Sequence, residues 1–164
     1  MIKTKSINLL MVALLVSSIL LACMIFYITG EETKLSQTIT VSVDGVVNET
    51  LMVDDLEINP GEKREWNIFL KSHVGGKFKT LVSFEEIADN GLKQFVNVEI
   101  SFNEQAVYDG TLTDLLSGST VSFNNELDNS NSNVLKIIFK MPIETGNEAQ
   151  KTTVDFYVKV KIEK

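Results

Sequence analysis

Hydrophobic and polar residues alternate with a period of two along most of the chain after residue 36. Successive side chains of a β-strand point to opposite faces of its sheet, so this alternation predicts half-buried strands. Helical periodicity is weak, and the segments 85–89 and 112–116 are the two candidates for short helical turns. The apolar positions that define the predicted strands are Ile39, Val41 and Val43; Trp66, Ile68 and Leu70; Val96, Val98, Ile100 and Phe102; Leu135, Ile137, Phe139 and Met141; and Val154, Phe156, Val158, Val160 and Ile162.

Turn-forming residue pairs separate these strands and favour an all-β fold. Such pairs supply the positive φ angles that tight turns need. With no crossover helices between the strands, we expect a two-sheet antiparallel sandwich or jelly roll of about eight or nine strands, covering residues 37–164. The turn pairs are Asp44-Gly45, Pro60-Gly61, Gly75-Gly76, Asn90-Gly91 and Asp109-Gly110.

The first thirty residues predict a membrane-spanning or signal helix ahead of this domain. Lys3 and Lys5 precede an uncharged, mostly apolar stretch at 7–28, and two acids follow it at 31 and 32. As a helix the stretch is roughly 33 Å long, which is enough to cross a bilayer. The positive-inside rule then keeps the N-terminus cytoplasmic and exports the rest of the chain.

The sequence leaves three alternatives open for how residues 1–30 are processed. The segment is a retained single-span anchor, or a signal peptide cleaved after Gly30, or a lipoprotein leader in which Cys23 carries the lipid. Residues 31–36 are then an extended linker, or a donor segment that adds as a strand to the sheet edge of a neighbouring copy. The predicted location is the extracellular face of a membrane or the medium.

Charge and cysteine content narrow the class of protein. Without Lys3 and Lys5, 13 basic residues remain against 22 acidic ones, so the exported part has a net charge of −9. Such a surface repels phosphate groups, and nucleic acid is not an expected partner. Cys23 is the single cysteine of the chain, so the exported domain folds without disulfides, which fits a bacterial surface protein better than a small animal domain.

The sequence offers no set of residues for catalysis or for binding a cofactor. His73 is the single histidine and lies in a predicted turn, whereas a zinc peptidase needs two histidines one helical turn apart with a glutamate between them. A serine triad would have to recruit the same histidine without a Gly-x-Ser-x-Gly elbow. We therefore assign no catalytic, cofactor-binding or metal residues and expect no enzyme activity.

Paired acidic residues leave open whether the loops bind calcium. Asp54-Asp55, Glu85-Glu86 and the pair Glu126 and Asp128 could each supply oxygen atoms. The spacing after Asp128 does not match an EF-hand loop, which needs a glycine at its sixth position and a glutamate at its twelfth. Solvated surface acids are the alternative explanation.

Three segments of the chain carry recognisable motifs. The first is Leu-Glu-Ile-Asn-Pro-Gly-Glu at 56–62, and the second is Val-Tyr-Asp-Gly-Thr-Leu-Thr-Asp-Leu at 107–115. The third begins with Met141-Pro142 and continues as Thr-Gly-Asn-Glu-Ala-Gln at 145–150. Taken in this order, the three segments resemble the TasA and camelysin-type proteins of bacterial surfaces and biofilm matrices. Camelysin is named as a metallopeptidase, but this sequence has no histidine pair to hold zinc.

The resemblance implies a β-sandwich that is presented or assembles outside the cell as a structural protein. Its expected partners are further copies of itself or other surface proteins, together with the membrane through the N-terminal helix. The alternative is a membrane-tethered accessory domain that binds a glycan, a cell-wall polymer or calcium through its loops. Tyr108, which precedes a predicted tight turn, is the loop-proximal aromatic residue that best suits such a ligand, but simple packing is the favoured interpretation of this side chain.

Overall fold

The structure is a computed structural model that describes residues 33–41, 47–127, 133–149 and 151–164. The chain divides into two compact units, Met1–Glu31 and Glu32–Lys164, and the description below concerns the second. The predicted N-terminal helix, Cys23 and Gly30 lie outside the described residues. Within those residues, no helix is both long enough and apolar enough to cross a membrane.

Nine strands and one short helix make up the described domain. Two 3-10 turns, Lys93–Phe95 and Asn147–Ala149, lie in the longer connections. In chain order the elements are β1 Thr33–Val41, β2 Val47–Leu56, β3 Lys63–Ser72, β4 Gly76–Asp89, β5 Asn97–Phe102, β6 Gln105–Thr111, α1 Leu112–Leu116, β7 Thr120–Leu127, β8 Val134–Lys140 and β9 Val154–Glu163.

The strands form two sheets, and the expected all-β class is confirmed. The five-stranded sheet has the order β1-β3-β8-β5-β6, and the four-stranded sheet has the order β2-β9-β4-β7. All described pairs are antiparallel except β1 with β3, which run parallel from Thr33 opposite Arg64 to Val41 opposite Ser72. The chain passes from β1 into the other sheet at β2 and returns at β3, so its direction reverses twice.

The inward-facing residues of both sheets share one hydrophobic core. Phe156 of β9 is fully buried, and its ring centre lies 5.6 Å from that of Phe139 on β8 in the opposite sheet. A second aromatic contact joins Phe102 of β5 to Phe123 of β7 at 5.6 Å. Burial of this apolar surface is the main force that holds the two sheets together.

Two local predictions are wrong. Residues 85–89, predicted as a helical turn, continue strand β4, where Glu85 lies opposite Tyr157 and a bulge follows between Glu86 and Ala88. Asp109-Gly110, predicted as a turn, lies inside β6. The β5–β6 turn is instead formed by Asn103 and Glu104, whose φ angles of 47° and 69° are positive without glycine.

Three of the remaining predicted turn pairs are confirmed, and the fourth lies outside the described residues. Gly61, Gly75, Gly76 and Gly91 all have positive φ, as their predicted turns require. Asp44-Gly45 lies outside the described residues.

Candidate functional site

The three segments that carry the family resemblance meet at one end of the domain, here called the motif end. The strand register places Lys63 of β3 opposite Lys140 of β8, and Lys140 opposite Asn97 of β5. Asn97 is in turn paired with Thr111 of β6. Strand β1 also begins at this end, with Thr33 opposite the second residue of β3. The motif end is therefore where the chain enters the domain.

Backbone hydrogen bonds join the first segment to the third. Gly61 donates to the carbonyl of Met141 at 2.9 Å, and Met141 donates to the carbonyl of Glu62 at 3.2 Å. Gly61 has a φ of 83°, and a Cβ placed on it would contact the Ile143 side chain at 3.5 Å. The Pro-Gly-acid pattern and the Met-Pro pattern are therefore two halves of one turn structure.

Glu62 closes the turn of the first segment. Its carboxylate accepts hydrogen bonds of 3.0 Å from both the backbone and the side-chain amide of Asn59. Partial burial by itself raises the pKa of Glu62, but the hydrogen bonds from Asn59, with the nearby Arg64 guanidinium, outweigh it and hold the pKa below its usual value. The acid is thus ionised in the folded state over the whole neutral range.

The second segment is shaped by the contact between Tyr108 and Gly110. Both residues lie on the inward side of β6, two positions apart, so the tyrosine ring covers the glycine. A Cβ added to Gly110 would lie 2.7 Å from Tyr108 Cζ, closer than real Cβ contacts. Tyr108 Oη donates to the carbonyl of Thr111 at 3.2 Å. Burial and then the Asp114 charge raise the pKa of Tyr108, so the donor stays protonated.

The same segment continues into helix α1, which has a well-defined start. Thr111 Oγ1 accepts from the backbone of Asp114 at 3.1 Å, which is an N-cap. Leu112 donates its backbone N–H to the carbonyl of Val96 at 2.9 Å, and its side chain is fully buried. Tyr108 is therefore a packing residue of the strand–helix junction, in agreement with the packing interpretation favoured from the sequence.

An acidic corner, formed by Asp54, Asp55 and Asp155, lies on the β2–β9 side of the motif end. A carboxylate oxygen of each lies within 4.8 Å of the others. Asp55 has a φ of 46° at an irregularity in the β2–β9 pairing, and its N–H donates to Asp155 Oδ1 at 2.8 Å. Carboxylate oxygens at this spacing can hold Ca²⁺, with further ligands from backbone or water because Ca²⁺ takes six to eight. Asp54 and Asp55 were predicted as a pair; Asp155 was not.

Next to this corner, a pocket of about 300 Å³ opens between the two sheets. Trp66 and Phe139 form its apolar wall, and Asp54, Asp55 and Arg64 are among the charged residues that line it. Trp66 is only 6% exposed, so it serves mainly as a core residue. This combination of an apolar wall with acids suits a small amphipathic cation better than an anion.

The other predicted acids are dispersed. Glu85 pairs with Lys159, and Glu86 pairs with Lys93 at 2.7 Å, so each belongs to a separate surface ion pair. Glu126 lies on β7, while Asp128 is outside the described residues. Of the three predicted pairs, Asp54-Asp55 thus belongs to the acidic corner and Glu85-Glu86 does not.

His73 lies in the exposed connection between β3 and β4, as predicted. The acidic corner is the one group of three or more metal-ligating side chains within the described residues, and it contains no histidine.

Comparison with known proteins gives a fold likeness and no family. No protein-family model and no curated protein matches the chain. The periplasmic lysozyme inhibitor PliG of Aeromonas hydrophila is similar over 80% of this chain and all of its own, with 9% identity and a TM-score of 0.37. The pre-peptidase C-terminal domain of Bacillus anthracis collagenase is similar over 80% and 99%, with 9% identity and a TM-score of 0.34.

The CUB1-EGF-CUB2 fragment of rat MASP-1 is also similar, with 13% identity and a TM-score of 0.38. The likeness covers 75% of this chain and 42% of that fragment. At these identities and TM-scores, none of the three likenesses transfers an activity, a ligand or a partner.

Proposed function

We propose that this chain is an exported structural protein of the bacterial cell surface or extracellular matrix, of the TasA and camelysin type, whose domain assembles outside the membrane. The observation that carries the proposal is the placement of β1. It is an edge strand of the five-stranded sheet and comes from the N-terminal stretch that enters at the motif end. The order and hydrogen bonding of the three motif segments support the same type of protein.

The attachment of β1 suits exchange between copies. It pairs with β3 along its whole length, yet among its residues 37–40 the single buried side chain is Ile39. Backbone hydrogen bonds therefore supply much of its attachment, and a second copy offers the same ladder to the same strand. Exchange of an identical element between protomers has little energetic cost, and repeated in one direction it produces a chain of subunits.

In this proposal the N-terminal segment both links the N-terminal helix to the domain and joins neighbouring copies. Residues 31–36 were predicted as a linker or donor, and β1 already contains Thr33 onwards. In the assembly, β1 leaves β3 of its own chain and pairs with β3 of a neighbour in the same register. Retention of the N-terminal helix would display the assembly on the membrane, and cleavage after Gly30 would release it into the matrix.

Disulfide trapping tests the exchange directly. Thr40 and Lys71 are opposite each other in the β1–β3 register, and both face away from the core. Neighbouring strands lie about 4.8 Å apart, within the range of a disulfide. Cells would produce two differently tagged full-length copies, one with Thr40→Cys and one with Lys71→Cys, both with Cys23→Ser. The proposal predicts a disulfide-linked heterodimer after mild oxidation.

A matched pair from the interior of the same sheet is the control. Ser101 of β5 and Lys136 of β8 are also in register and point away from the core. Placed on separate copies, cysteines at these positions should remain unlinked, because neither strand is at an edge. If Thr40→Cys and Lys71→Cys link fully within one chain but never between chains, the exchange does not occur.

A further inference from the structure

Phe69 occupies an unusual position on the outer face of the five-stranded sheet. It lies on β3, between β1 and β8, and its side chain is half-buried but does not pack against the core. The other β3 residues on that face are all polar or charged, namely Lys63, Glu65, Asn67 and Lys71. The ring is thus not part of the core, and it stands among otherwise polar side chains of β3.

A depression of about 430 Å³ is built around this ring. Val134 of β8 lies directly opposite Phe69 and extends the apolar floor. The turn formed by Asn103 and Glu104 makes the far wall. Two hydrogen bonds fix this wall to β8: Asn103 N donates to Val134 O at 2.9 Å, and Val134 N donates to Asn103 Oδ1 at 2.8 Å. This wall is therefore held in place by one backbone–backbone bond and one bond to the Asn103 side chain.

A nearly buried carboxylate orients the rest of the rim. Glu65 is 9% exposed, and its Oε1 accepts from Asn67 Nδ2 at 3.0 Å and lies 3.5 Å from Lys136 Nζ. These contacts hold the amide and the ammonium group on the same side of Phe69. A rim fixed by such supporting contacts loses little entropy when a ligand binds.

The rim keeps hydrogen-bonding groups of both kinds available. In the described part of the chain, Asn67 Oδ1 and the Glu104 carboxylate accept no hydrogen bond, and Asn103 Nδ2 donates none. Lys136, whose charge is paired with that of Glu65, adds a further donor. The depression thus offers an apolar floor surrounded by two acceptors and two donors, and its rim carries no excess of positive charge that would favour an anion.

We propose that this depression binds one pyranose unit of a neutral glycan. A pyranose ring has an apolar C–H face that packs on an aromatic ring, and its hydroxyl groups both donate and accept hydrogen bonds. A volume of about 430 Å³ lies in the range of small-molecule sites. The negative charge of the domain disfavours an anionic polymer. This ligand goes beyond the proposed structural role and does not depend on assembly.

Titration with defined sugars tests the site. The full-length protein, in a detergent without a sugar headgroup, would be titrated with maltotriose and with N,N′,N″-triacetylchitotriose, followed by saturation-transfer NMR and calorimetry. We expect at least one of the two to bind, with a roughly tenfold or greater loss of affinity in Phe69→Ala. Ile138→Ala is the matched control, because Ile138 is a half-buried apolar residue on the same face of β8 but outside the depression.

A second variant keeps the test valid if Phe69→Ala fails to fold. Glu104→Gly removes a rim acceptor at a position whose φ of 69° suits glycine, so it should fold normally and still weaken binding severalfold. The proposal is overturned if neither sugar binds the wild-type protein at sugar concentrations on the order of 10 mM, which are high enough to reveal a weak glycan site. It is equally overturned if Phe69→Ala and Glu104→Gly, both folded, bind as tightly as Ile138→Ala.

Discussion

Alanine at position 110 should destabilise the domain through one contact, the Tyr108 ring. Gly110 has no positive φ, so its backbone accepts alanine without strain. The added Cβ would lie 2.7 Å from Tyr108 Cζ, and the ring must move. Overpacking of this kind costs about 1–3 kcal/mol, and loss of the Tyr108–Thr111 hydrogen bond adds about 0.5–1.5 kcal/mol. We therefore expect Gly110→Ala to lower the free energy of unfolding by about 2–4 kcal/mol.

The sign should reverse once the ring is gone. In a Tyr108→Ala background the new methyl group meets no ring, and alanine in a strand is favoured over glycine by about 0.5–1 kcal/mol. The double-mutant cycle should therefore give a coupling energy of about 2.5–5 kcal/mol between the two positions. Urea unfolding of the four full-length proteins measures it, with Trp66 as the probe, because this single tryptophan lies in the core of the domain.

Additivity would refute the reasoning. If Gly110→Ala costs the same in both backgrounds, the glycine is required for some reason other than the tyrosine ring. Tyr108→Phe separates the two parts of the effect, since it keeps the ring and removes the hydrogen bond to Thr111. We expect it to cost about 1 kcal/mol.

Two other features of the motif end give further predictions. The pKa of Glu62 is lowered in the folded state, so its contribution to stability is present at neutral pH and is lost as the pH falls through the folded-state pKa. The melting temperature of Glu62→Gln should therefore fall less than that of wild type between pH 6 and pH 3, and an unchanged pH profile would contradict this. Thr111→Ala should lose about 1 kcal/mol with the N-cap of α1 in urea unfolding, while Thr111→Ser should keep most of it; equal losses would exclude the cap.

The strands that could be predicted are those that bury one face along their whole length. β8 and β9 alternate strictly between buried and less buried positions, so their hydrophobic period is visible in the sequence. β6 has no buried residue, and β2 has three exposed positions in a row, so neither shows a clean period. Their place in a sheet comes from backbone pairing with β5 and β9.

The errors have similar causes. The sequence of 85–89 has weak helical periodicity, yet pairing with β9 keeps this end of β4 extended, and Lys159 adds an ion pair to Glu85. Asp109-Gly110 has the composition of a turn, but the glycine is required by the neighbouring tyrosine ring. Local composition cannot distinguish these two uses of glycine.

Only those features of the candidate site that are formed by residues adjacent in sequence could be predicted. Asp54-Asp55 are adjacent in sequence, but Asp155 joins them through the β2–β9 pairing, 100 positions away from Asp55. The union of the Pro-Gly-acid turn with Met141 likewise depends on the β3–β8 register. Phe69 belongs to an alternating strand, and its outward direction followed from the period, whereas the depression around it depends on the β5–β6 turn.

The most direct test of the proposed function is the native mass and the N-terminal residue of the protein recovered from producing cells. We expect the protein outside the cytoplasm, in assemblies of many copies, beginning at Glu31 when released or at Met1 when retained on the membrane. Deletion of residues 33–41 from the full chain should leave single copies of the same secreted or anchored protein. A wild-type protein that is monomeric at every concentration, or that remains in the cytoplasm, would contradict the account.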